Sequence, residues 1–119
     1  MGARSVVLIV DDEFLVRSLA AKVADEAGFN VVEAADADEG IRILESRPDI
    51  RLVLTDIEMP GSMDGLELAC AVSHRWPCIE VIVTSGKMRP HADELPDRGY
   101  FMPKPYSPSE LSGLLQALC

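Results

Sequence analysis

Five short apolar runs, set apart by stretches long enough for helices, place the tightest limit on how this chain can fold. They are Val6–Val10, Asn30–Ala34, Leu52–Thr55, Val81–Thr84 and Tyr100–Met102. Strand-like and helix-like segments in alternation imply an α/β domain built on a parallel sheet. The first, third and fourth runs are solidly apolar and β-branched, as central strands covered on both faces should be. The second alternates and carries Glu33, which suits a strand nearer an edge.

The intervening helices announce their starts. Asp36 with Glu39, Asp64 with Glu67 and Ser107 with Glu110 each put a capping side chain three residues before a glutamate, and Pro108 occupies a favoured first-turn position. The first helix is expected over Glu13–Ala27, with Leu15, Leu19 and Val23 on one face and Gly28 as its stop. The last is expected over Pro108–Leu118, showing Leu111, Leu114, Leu115 and Leu118. Between the fourth and fifth runs, "GKMRPHADELPDRG" contains Pro90 and Pro96 and few apolar residues. It predicts one short turn around His91–Leu95 or an irregular loop.

Residues 1–119 make one domain, with a net charge of −9 and 11 scattered basic residues. That balance speaks against direct binding of nucleic acid, whose phosphates are held by clustered Lys and Arg. No apolar run could cross a bilayer, no signal-like core follows the amino terminus, and Val6 stands where a myristoylation signal needs Ser or Thr, so a cytoplasmic protein is expected. Cys70, Cys78 and Cys119 form no paired framework. Cys70, His74 and Cys78 would line up on an unbroken helix, but Pro77 should end that helix near Trp76, leaving a small apolar thiol and a surface imidazole.

The chemistry collects at strand ends. Asp11 and Asp12 follow the first strand and Asp56 the third. Right-handed crossovers bring these carboxyl ends to one edge of the sheet, where ligands bind in open α/β folds. Any one acid alone reads as a solvated loop residue, and Asp12 as a cap for the first helix. Three in one crevice would repel by roughly 4 kcal/mol per pair at about 4 Å and an effective dielectric near 20. A hard divalent cation such as Mg2+ removes that conflict. Ser85 follows the fourth strand and Lys104 the fifth. A hydroxyl, an ammonium and metal-held carboxylates suit a phosphoryl group. An ionised carboxylate needs no general base, so Asp56 can itself be the nucleophile.

These residues resemble the receiver domain of two-component response regulators along the whole chain. "LTDIEMPGSMDG" resembles the segment that carries the phosphorylated aspartate, here Asp56, with Met59–Pro60 and Asp64–Gly65 in place. The resemblance implies a flavodoxin-like, doubly wound, five-stranded parallel sheet of order 2-1-3-4-5, here with a short or irregular fourth helix. It implies Mg2+ held by Asp11, Asp12, Asp56 and the backbone carbonyl of Glu58. It also implies Ser85 as the switch hydroxyl, and Lys104 pairing with the phosphoryl group before a cis peptide bond to Pro105. Phe101 takes the switch aromatic's place, where the family commonly has Tyr; Tyr100, its neighbour on the strand, faces the other way. The "PGSMDG" loop is one residue longer than the commonest form.

The function so implied is a phosphoacceptor switch, not an enzyme acting on other molecules. It would take phosphoryl from a histidine kinase or phosphotransfer protein and alter binding of a downstream protein, without membrane insertion. With no residues for an effector after Leu118, a stand-alone receiver is expected. Two other readings stay open: a Mg2+-dependent phosphohydrolase with an aspartate nucleophile, and a receiver-like interaction module that is never phosphorylated.

Overall fold

The computed structural model describes residues 5–118. Residues 1–4, the start of the segment weighed against a myristoylation signal, and Cys119 lie outside the described residues. The strands are β1 (Val6–Val10), β2 (Asn30–Ala34), β3 (Ile50–Asp56), β4 (Glu80–Ser85) and β5 (Gly99–Pro103). The helices are α1 (Phe14–Glu26), α2 (Ala37–Ser46), α3 (Gly65–Arg75) and α4 (Pro108–Leu118). All neighbouring strands pair in parallel, in the order β2-β1-β3-β4-β5. The proline-broken segment forms one turn of 3-10 helix, Ala92–Glu94, where a fourth crossover helix was expected to be short or irregular.

Strand periodicity divides the core between the two faces of the sheet. Val6, Leu8, Val10, Val53, Val81 and Val83 pack with Leu44 of α2 and Leu68, Ala69 and Val72 of α3. Val7, Ile9, Leu52, Leu54 and Ile82 pack with Ala20 and Ala24 of α1 and Leu111 and Leu115 of α4. Each fully buried aliphatic side chain of this kind contributes about 1.5–3 kcal/mol of transfer free energy. β1, β3 and β4, buried along nearly their whole length, are the central strands; β2, with exposed Asn30 and Glu33, is an edge.

The expected caps form. Asp64 accepts from the Glu67 N–H while the Glu67 carboxylate accepts from the Asp64 N–H, both at 2.9 Å. Ser107 and Glu110 make the same exchange at 3.1 and 2.8 Å. α3 stops at Arg75 with Trp76 as its cap, so Cys70 and Cys78 are not aligned, and both are exposed free thiols.

The face of α1 differs from expectation. Leu15 and Leu19 point to solvent at 74% and 65% exposure, and Ala20 and Ala24 meet the sheet instead. The small alanines let the helix backbone lie close to β1 and β2. The larger leucines, with Phe14 at 66% exposure, form an outward apolar patch at the end of α1 beside Asp11 and Asp12.

Candidate functional site

Register brings the strand-end residues together. Val10 pairs with Thr55 and Asp56 with Thr84, so Asp11, Asp56 and Ser85 emerge side by side at the carboxyl edge. Lys104 follows β5 and donates its backbone N–H to the Ser85 carbonyl at 3.0 Å. The Lys104–Pro105 peptide bond is cis. Asp11 and Asp56 are buried, while Asp12 is exposed. One carboxylate oxygen from each lies within 4.8 Å of the others.

One ammonium serves this cluster. Lys104 Nζ stands 3.3 Å from Asp56 Oδ1 and 3.6 Å from Asp11 Oδ2. Asp11 Oδ1 accepts the Glu13 N–H at 2.9 Å. Asp56 Oδ1 is buried with the Lys104 ammonium as its ion-pair partner and accepts no hydrogen bond from any other described group. Burial pushes the Asp56 carboxyl above its ordinary value, with Lys104 pulling it down and Asp11 adding to the rise. Asp11 is raised for the same first reason, against the pull of the Glu13 N–H and Lys104. Burial alone would lower Lys104, but the two carboxylates outweigh it and hold the ammonium more firmly protonated. Two acids are thus buried at a cost that one lysine only partly offsets.

The backbone behind Asp56 is tightly packed. Ile57 donates to the Thr84 carbonyl at 2.9 Å, and Gly65 donates to the Ile57 carbonyl at 3.0 Å. A Cβ on Gly65 would collide with the Asp56 carbonyl, so the "DG" pair lets α3 begin directly against the end of β3. Arg17 braces the opposite side. Its guanidinium donates to the Asp11 carbonyl and to Glu33, both at 2.9 Å, tying α1 to the ends of β1 and β2.

Ser85 is 2% exposed, and its hydroxyl is bound to a partner that sequence reasoning did not provide. It donates to the Glu58 carboxylate at 2.6 Å and accepts the Lys87 and Met88 N–H groups, each at 3.0 Å. The resemblance implies a role only for the backbone carbonyl of Glu58. The side-chain contact depends on how the chain turns after β3, which no spacing rule reports. Phe101 is half-buried against the α2–α3 side of the core, with the Arg89 guanidinium 5.5 Å from its ring centre. Neither Phe101 nor exposed Tyr100 reaches the acid cluster in the contacts described.

Comparison with known proteins agrees with this architecture. Residues 7–116 match the family model described as the response regulator receiver domain. The chain is 33% identical over 117 residues to an NtrX-like response regulator of Rickettsia bellii, covering 95% of this chain but 24% of that protein. A response regulator receiver protein from Pseudomonas putida superposes with a TM-score of 0.86 at 27% identity, covering 98% of this chain and 99% of that one. A CheY-like receiver domain protein from Methanospirillum hungatei gives a TM-score of 0.86 at 25% identity, over 97% and 93% of the two chains. The chain belongs to the response regulator receiver domain family, the phosphoacceptor switches of two-component signalling. It spans about a quarter of the length of the NtrX-like relative.

Proposed function

We propose that Asp56 is the phosphoacceptor of this receiver domain. Its carboxylate oxygen attacks phosphorus, the P–N bond of a phosphohistidine on a kinase or phosphotransfer protein breaks, and the departing imidazole takes a proton from solvent. The observation that carries this reading is the carboxyl-edge cluster: Asp11, Asp12 and Asp56 each bring a carboxylate oxygen within 4.8 Å of the others, and the Lys104 ammonium 3.3 Å from Asp56 Oδ1 is shared with Asp11. A cluster so placed is costly unless a ligand uses it.

The donor set fits a hard divalent ion: oxygen ligands only, close together, with one acid open to water. Asp11, Asp12 and Asp56, with the Glu58 backbone carbonyl, would hold Mg2+, which when bound neutralises the acids and withdraws charge from the phosphoryl oxygens. Lys104 then pairs with a phosphoryl oxygen and fixes its orientation, and Ser85 donates its hydroxyl to another. Phe101 stands at the switch-aromatic position without a hydroxyl, so it can change packing but not hydrogen bonding. The apolar patch of Phe14, Leu15 and Leu19 lies beside the crevice and suits the helix that presents the phosphohistidine. Movement of Ser85 would reach a downstream protein through residues 86–99, a segment with one turn of helix that can reorder more easily than a packed helix can shift.

The phosphohydrolase reading needs a free acid two residues beyond the nucleophile. Glu58 has that position, but its carboxylate is engaged by Ser85. Incubation with acetyl phosphate and Mg2+, followed by intact mass, tests the proposal. One phosphoryl adduct on the wild type and none on Asp56→Asn is expected. An equal adduct on the variant, or none on either protein, would support the unphosphorylated module instead.

A further inference from the structure

A serine hydroxyl has one proton to give and two lone pairs, and in Ser85 all three are committed. The Ser85 O–H donates to Glu58 Oε2 with the two oxygens 2.6 Å apart, the short distance of a hydroxyl bound to a carboxylate. The lone pairs receive the Lys87 and Met88 N–H groups. Phosphoryl oxygens are acceptors only. Ser85 can therefore contact a phosphoryl group on Asp56 only by withdrawing its single proton from Glu58. When the hydroxyl turns, Lys87 and Met88 lose their acceptor at the point where the chain leaves β4 for residues 86–99.

We propose that the Glu58 carboxylate is a latch that holds the Ser85 hydroxyl, and through it the first amides of the 86–99 segment, in the resting arrangement until a phosphoryl group outcompetes it. Glu58 is a positioning residue: it acts through Ser85 and not on phosphorus. This inference rests on the reading of Asp56 and Ser85 given above and adds to it a competitor from this chain. The same contact gives the segment a defined resting state, because one charged hydrogen bond fixes a hydroxyl that in turn fixes two backbone N–H groups. A latch has two consequences. Phosphorylation is slower than the acid cluster alone would permit, and release of Ser85 and rearrangement of residues 87 and 88 are one event.

The test must separate the contact from the charge, since a carboxylate two residues after Asp56 also repels an incoming anion. Glu58→Asp keeps the charge but is one methylene too short to reach Ser85; Glu58→Ala loses both. Amide positions of Lys87 and Met88 are followed by 15N NMR before and after acetyl phosphate and Mg2+, alongside the rate of adduct formation by intact mass. In the resting state both variants should displace the Lys87 and Met88 amides toward their positions in the phosphorylated wild type. Glu58→Asp should also take up phosphoryl about tenfold faster, the factor equivalent to about 1.4 kcal/mol, and Glu58→Ala at least as fast. In a Ser85→Ala background, Glu58→Asp, which keeps the charge, should add nothing to the rate.

Glu58→Asp matching the wild type in amides and rate would overturn the latch, leaving a charge effect alone. Unmoved amides in Glu58→Ala would overturn it as well. An adduct on the wild type alongside either result leaves the phosphoacceptor reading standing. No adduct on any protein would remove both.

Discussion

At the amino-terminal end of the sheet, three arginines each pair with one acid. Arg47 pairs with Asp49 at 2.8 Å, Arg75 with Glu45 at 2.7 Å and Arg98 with Glu80 at 3.0 Å. At the carboxyl-terminal end, Asp11 and Asp56 share Lys104, and Asp12 brings a third carboxylate beside them. The chemical groups are alike, but the carboxylates respond in opposite directions. The hydrogen bond from Arg47 holds Asp49 below its ordinary range, whereas burial raises Asp11 and Asp56. A surface that only has to be soluble balances its charges locally. The crevice leaves charge unbalanced, as the proposed sites for a cation and then a phosphoryl group require.

The largest effect should come from Gly65→Ala. The added Cβ meets backbone, not a flexible side chain, so α3 must shift away from the end of β3. A loss of about 2–3 kcal/mol in chemical denaturation is expected, as for other overpacked sites, with weaker adduct formation on Asp56. A loss below about 0.5 kcal/mol would mean that the carboxyl end is less tightly built than described.

Next is the electrostatic cost itself, measured in EDTA. Asp11 and Asp56 have raised folded-state pKa values, so the folded protein binds their protons before the unfolded chain does. Stability from these groups therefore rises as pH falls from neutral through those raised values, and levels off below the ordinary carboxylate range. Lys104 has a raised value too, so its contribution is fully present across this window and is lost only at alkaline pH. Asp56→Asn should stabilise the metal-free protein at pH 7 by a net amount on the order of 1 kcal/mol and reduce the gain seen as the pH falls from neutral. An unchanged pH profile in the variant would show that Asp56 carries no such cost.

The smallest effect belongs to the balanced end. Glu45→Gln breaks an ion pair whose side chains are about half exposed, and the change in denaturation should stay within about 0.5 kcal/mol. A loss as large as that of Gly65→Ala would erase the contrast between the two ends.

Much of this contrast was legible before any coordinates. β1 and β2 read to the residue, because their apolar runs begin and end where the strands do. β3 and β4 extend past their apolar cores to Asp56 and Ser85, polar residues that periodicity does not count as strand. The capping pairs mark helix starts because their chemistry is local. The orientation of α1 was not legible in this way: a leucine stripe reads as the buried face, yet Ala20 and Ala24 pack closer, and only the tertiary fit decides. In the site, strand-end acids are readable because parallel topology must bring them to one edge. The Glu58–Ser85 contact is not, since it depends on a side-chain direction after a turn.

The central claim is that Asp11, Asp12 and Asp56 are left unbalanced for a divalent cation, and a Mg2+ titration of the melting temperature tests it most directly. At ten times its dissociation constant Mg2+ should add about 1.4 kcal/mol to the wild type, a rise of roughly 5 °C. Asp11→Asn and Asp56→Asn should lose most of that rise. An equal rise in all three proteins, or none in the wild type, would contradict the account.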